Sequence, residues 1–150
     1  MVDNRIYTTR RLGIVDALCG VIKTIDGTGN FRSKIEDVFP RLKFWDEVPE
    51  FPAVSITAGS EYRQYQGGGY KDRFLNVSIK VYVEEEDAAA ALDKLLEDIE
   101  TVLEDNSALS YYDKNGIEQC AHQLSIVQID TDEGVLEPIG FGEISILVQY

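Results

Sequence analysis

Cys120 and His122 are the residues whose types best suit covalent chemistry, because a thiol beside an imidazole base can act as a nucleophile. Their two-residue spacing allows both to sit on one face of a strand. A reactive thiolate, however, requires positive surroundings. From Asn76 onward there are 3 Lys and Arg against 17 Asp and Glu, so a structural role is expected for both residues. The other cysteine, Cys19, is distant, and neither has a Cys-x-x-Cys neighbour. That spacing indicates neither a disulfide scaffold nor a zinc site, and two buried thiols are expected.

Three further clusters invite a ligand and fit it poorly. Asp130-Thr131-Asp132-Glu133-Gly134 opens like a calcium loop, but the twelfth position, where a bidentate Glu is required, is Phe141. An acidic hairpin turn is the simpler reading. Gly67-Gly68-Gly69 has neither the following Lys-Ser/Thr of a phosphate loop nor the G-x-G-x-x-G spacing that leads into a helix. Glu84, Glu85, Glu86 and Asp87 precede an apolar helical stripe, where carboxylates complement the helix dipole and need no metal. No cofactor, nucleotide or metal site is expected, and the chain is read as a non-enzyme.

One cluster suits recognition better than reaction. Tyr62, Arg63, Tyr65, Tyr70 and Arg73 surround the three glycines, and Tyr and Arg are enriched where proteins meet. An exposed flexible loop without function is the competing reading.

The elements that position these residues follow from pattern. The chain has 150 residues, enough for one domain with a substantial core, and its 44% apolar and 27% charged content matches ordinary folded domains. No stretch is long and apolar enough to span a membrane, and the start lacks a secretory signal, so synthesis in a cytoplasm is expected. Net charge is −13, divided as +1 through Leu75 and −14 thereafter. General attraction to nucleic acid is therefore not expected. The acidic half is either a solvated face or one polar surface of an oriented assembly.

Leu12, Val15, Leu18, Cys19 and Ile22 recur at helical spacing and predict a first helix over about 4–25, stopped by Asp26-Gly27. The segment 27–50 is mixed, with room for one short element. Ala53–Ala58 reads as a strand, and Leu75, Val77, Ile79, Val81 and Val83 alternate as the core face of another. A long Gly/Tyr loop over 59–73 is expected between them. Ala88, Ala91, Leu92, Leu95, Ile99, Val102 and Leu103 form the apolar stripe of a second helix, ended by Asp105-Asn106-Ser107. Strands at 124–130 and 142–150 close the chain. The result is an α+β fold, a mostly antiparallel sheet flanked by two main helices.

That order, together with several local strings, resembles the tail terminator proteins of long-tailed bacteriophages. The strings are Asp26-Gly27-Thr28-Gly29, Pro52-Ala53-Val54, the strand from Leu75 to Tyr82, the helix from Leu92 to Glu100, Thr131-Asp132-Glu133-Gly134 and the strand finishing on Tyr150. The resemblance covers nearly the whole chain and is one of pattern, without a catalytic signature. It implies a homohexameric ring, monomeric before assembly in some cases, that caps the head-proximal end of the tail tube, stops tube growth and offers a surface to a head-completion or connector protein. Partners would be the chain itself, the tail tube protein and the connector, with genomic DNA only passing through.

A closed ring joins two unlike patches. Tyr62, Arg63, Tyr65, Tyr70, Arg73, Asp132 and Glu133 are the candidate subunit or tube contacts, and Glu84, Glu85, Glu86, Glu97 and Glu100 the candidate acidic face or lumen, which would repel DNA phosphates. Other neck or tail-completion proteins share this layout. A small enzyme or ligand-binding domain using Cys120 and His122 is the alternative of a different class.

Overall fold

The computed structural model describes residues 9–150. The first helix, α1, runs Arg10–Ile22, with Thr9 as N-cap accepting a hydrogen bond from the Leu12 amide. The expected start at residue 4 lies outside the described residues. The end comes earlier than expected, because Lys23 and Thr24 turn back onto Cys19 and Val21 and the chain leaves the axis before Asp26. Ile14, Val15, Leu18, Cys19 and Ile22 form its buried face. Leu12, expected in that stripe, is exposed at its rim.

Seven strands follow in chain order: β1 Asp37–Phe39, β2 Ala53–Gly67, β3 Tyr70–Glu84, β4 Ser110–Tyr112, β5 Glu118–Cys120, β6 Gln123–Thr131 and β7 Ile139–Gln149. Helix α2, Ala88–Asp105, lies between β3 and β4. The main sheet has the order β1-β2-β3-β7-β6, parallel at β1–β2 and antiparallel elsewhere, so the α+β expectation holds. β4 and β5 form a separate small hairpin that the sequence pattern did not indicate. β6 is an outer strand, and a bulge interrupts its pairing between Ile126 and Gln128.

Both helices cover one face of this sheet. Leu75, Val77, Ile79, Val81 and Val83 of β3 and Ile144, Ile146 and Val148 of β7 are buried there with Leu92, Leu95, Ile99 and Leu103 of α2. Each such side chain stabilises the fold by about 1.5–3 kcal/mol when fully buried. Asp98, buried on α2, accepts the Arg32 and Ser33 amides at 3.0 and 2.9 Å, which ties the 27–36 segment to the helix. On the opposite face, Tyr82 packs with Val48, Ala53, Phe39, Phe51 and Phe141 and donates its hydroxyl to the Lys43 carbonyl at 2.6 Å.

Two expectations about local structure change. Glu84 closes β3, and Glu85 and Glu86 precede the helix; its N-cap is Asp87, which accepts the Ala90 amide at 3.3 Å. The capping contribution therefore belongs to Asp87, and the three glutamates are left solvent-facing. The cysteines divide as well. Cys19 is buried, and that burial pushes its thiol up to about 11, whereas Cys120 is exposed on β5.

Candidate assembly interface

The segment expected as a loose Gly/Tyr loop is a long hairpin. β2 and β3 stay paired from Ala53↔Tyr82 out to Gly67↔Tyr70. Gly68 and Gly69 make the two-residue turn with φ of 62° and 84°, the paired left-handed geometry that matches strand twist and favours glycine. The glycines thus serve closure, with flexibility not required.

Beyond Phe74 no further strand flanks this hairpin among the described residues. β7 supports β3 only as far as Phe74↔Gln149, after which the Tyr150 amide makes one last bond to the Arg73 carbonyl at 3.0 Å. From Tyr62 to Lys71 every residue is exposed, on both faces of the ribbon. A two-stranded ribbon is only marginally stable in water. This one is held by stacking of Tyr62 on Phe74, with ring centroids 4.7 Å apart, and by a 2.9 Å bond from Gln66 Nε2 to Asp72. Tyr65 and Tyr70, at 74% and 76% exposure, present their rings to solvent near its tip. Such rings carry large apolar area at little entropic cost when another surface covers them.

A polar network roots the arm. The Tyr150 hydroxyl donates to Glu61 on β2, and Arg63 Nε donates to the same carboxylate at 3.0 Å. The Arg73 guanidinium lies 5.6 Å from the Tyr150 ring centroid, and Tyr111 meets that ring edge-on at 6.4 Å. Arg11 of α1 donates to the Gly59 carbonyl. Burial acts to raise the Glu61 carboxyl, but the bonds from Tyr150 and Arg63 and the Arg63 and Arg11 charges bring it below its usual range. For Tyr150, burial and then the Glu61 bond push the phenol up to about 12.

The sign of the resulting pH effect is set by that upward shift. The contribution of Tyr150 is complete below the ordinary phenol value of about 10 and is lost as pH rises through the folded value. In an alkaline absorbance titration, Tyr150 and Tyr82, whose burial also lifts it to about 12, should form a late tyrosinate phase. Tyr111, which burial also raises, adds to that phase, so Tyr150→Phe should shrink it by one tyrosine; a late phase of unchanged size would contradict the assignment.

The other sequence-selected residues lie elsewhere. Asp132 and Glu133 sit in the β6–β7 turn, where Ile139 pairs with Glu84 and the Glu85 amide bonds to Pro138. They therefore join Glu84, Glu85 and Glu86 at the end of the sheet opposite the arm, and do not approach Tyr62, Arg63, Tyr65, Tyr70 or Arg73. The Asp132 carboxylate accepts the Gly134 and Leu136 amides, both at 3.2 Å, so it shapes the turn. Glu97 and Glu100 are separate again, on α2, the first exposed and the second half-buried.

Comparisons with known proteins speak directly to this architecture. The profile of the family described as Bacteriophage Tail Tube Terminator Protein matches residues 8–150. The chain belongs to that family. Tail tube terminator protein p142 of Escherichia phage T5 is 38% identical to it, the match covering 93% of this chain and 92% of that protein. Among solved structures, a chain from the virion of a native gene transfer agent particle shares the fold with a TM-score of 0.54 at 9% identity, over 94% of this chain and 93% of that one.

In this tail terminator, the residues that sequence reading missed are those rooting the arm, Glu61, Phe74 and Tyr150. None stands out by pattern, since their roles depend on β2, β3 and the end of β7 meeting. Cys120 and His122 are both exposed, and among the described residues no hydrogen bond joins them. The His122 amide instead bonds to the Gln149 carbonyl at 2.7 Å, a backbone role in the sheet. No three His, Cys, Asp or Glu side chains among the described residues are grouped to hold a metal.

Proposed function

We propose that the chain, as one domain, assembles into a homohexameric ring at the head-proximal end of the tail tube, ends tube polymerisation and presents a surface to the head-completion or connector protein. The observation that carries this reading is the arm: a tyrosine-tipped ribbon that, among the described residues, has no flanking strand beyond Arg73. Partners would be further copies of itself and the tail tube protein. Synthesis takes place in the host cytoplasm and the protein ends in the virion tail.

The acids of α2, exposed Glu97 and half-buried Glu100, with exposed Glu84, Glu85 and Glu86 beyond its N-terminus, are the proposed channel-facing surface. Net charge of −13 gives passing DNA no general attraction to it. Negative-stain imaging of purified tail tubes incubated with the chain tests the proposal. Rings on one end only, with no further tube growth from that end, are expected. Binding along tube walls, or none at the ends, would defeat it.

A further inference from the structure

We propose that a basic cleft at the root of the arm is the socket for the β6–β7 turn of a second copy. The inference rests on the ring reading and names the contact that would join its subunits.

The cleft has a volume of about 440 Å³ and is lined by Arg10, Arg11, Arg63, Arg73, Lys114 and Tyr150. Five of the 14 cationic side chains of a chain with net charge −13 thus converge on one opening. Asp113 also lines it, but its carboxylate is occupied by the Asn115 and Ile117 amides at 2.8 and 3.0 Å and by Gln119 Nε2 at 3.1 Å. Glu61 pairs with Arg63 at 3.0 Å and also feels the Arg11 charge, so one carboxylate is shared between two of the five cations. Arg73 Nε is buried and has no acceptor among the described residues. A desolvated guanidinium donor without an acceptor is unfavourable, and a carboxylate is the planar group that guanidinium matches best.

Among the described residues, the exposed acids of the β6–β7 turn cannot reach this cleft within one chain. The β6–β7 turn lies beyond the start of β7, whereas Tyr150 follows its end, and 11 strand residues separate the two. At about 3.3 Å per residue, that is a distance of about 35 Å. The turn presents Glu133, exposed with φ of 57°, and Glu137, also exposed, with Val135 81% exposed between them. A narrow turn tip fits a cleft of this size, where the convex face of α2 does not. Cation-rich and acid-rich surfaces at opposite ends of one sheet give a heterologous, head-to-tail contact, the type that closes rings. A polyanion such as DNA is a poorer occupant, since the rest of the chain repels it.

Two reversals of charge test the contact in the full chain: Arg10→Glu with Lys114→Glu in the cleft, and Glu133→Lys with Glu137→Lys in the turn. Folding is checked by circular dichroism, with Arg10→Ala and Lys114→Ala replacing the first pair should it not fold. Self-association is followed by sedimentation, and ring occupancy on purified tail tubes by negative stain. Wild-type association should weaken with salt, each reversal should weaken it at least about tenfold, and the four-site combination should recover it.

Rings that form on tubes but ignore every reversal, or a combination that recovers nothing, would overturn the socket and leave the ring reading standing. The absence of any wild-type ring would defeat the ring reading itself. DNA binding that is lost with the cleft reversal, while association stays unchanged, would also overturn the socket.

Discussion

Replacing Tyr65 and Tyr70 together by serine is expected to abolish stable ring formation at the tube end while leaving the fold intact. The fold is spared because both rings are about three-quarters exposed and lie beyond the last β7 contact. Hydrogen bonds of the β2–β3 backbone and the Gly68-Gly69 turn do not depend on either ring. Assembly is lost because aromatic anchors dominate interface energetics. Truncating one covered tyrosine costs about 2 kcal/mol or more, a factor of about 30 in affinity. Two losses repeated around a closed ring exceed what rim contacts can offset. Circular dichroism and thermal unfolding should match the parent protein, and end decoration should vanish. Tubes decorated as before would remove the arm from the account of assembly.

Gly13→Ala should be the most disruptive single methyl group in the described residues of α1. Helix propensity alone favours alanine by about 1 kcal/mol, so packing decides the sign. A Cβ at position 13 would overlap the Tyr112 carbonyl oxygen, while the Tyr111 ring would stand at ordinary contact distance. The carbonyl belongs to the backbone of β4 and cannot rotate away, so α1 must shift from the small hairpin it packs on. Overpacking of this kind costs about 1–3 kcal/mol and more where backbone must move, giving net destabilisation of about 2 kcal/mol. A Cβ at Gly20, on the same helix, meets nothing within 4 Å. Gly20→Ala should therefore stabilise by about 0.5–1 kcal/mol. Urea unfolding of both variants checks the pair, and equal effects of the same sign would refute the packing argument.

Legibility in the sequence followed hydrophobic contrast. β3 was plain because five alternate residues from Leu75 to Val83 face the core, and α2 because its stripe repeats every three or four residues. The arm was not, because both faces of residues 62–71 meet solvent and no alternation marks them as strand. Its glycines then suggested slackness where they supply a turn. β4 and β5 are three residues each, too short for any period, and Tyr111 is buried while Tyr112 beside it is exposed. The uneven charge of the two halves was visible in one dimension. Its spatial form was hidden, because Lys114 joins arginines from the first half around Tyr150, while Glu84 meets the β6–β7 turn across the sheet.

The outer strand β6 carries a hazard peculiar to proteins that stop polymers. No strand pairs with its outer side among the described residues, although the Leu124 amide bonds to the Ser107 carbonyl at 2.8 Å, and Val127 and Ile129 are exposed along it. In the proposed ring, copies held side by side could template one another edge to edge and grow a fibre of their own. The bulge between Ile126 and Gln128 breaks the flat register such stacking needs, and Asp130 places a charge in its path. The strand is thus blunted against the runaway growth that its surroundings invite.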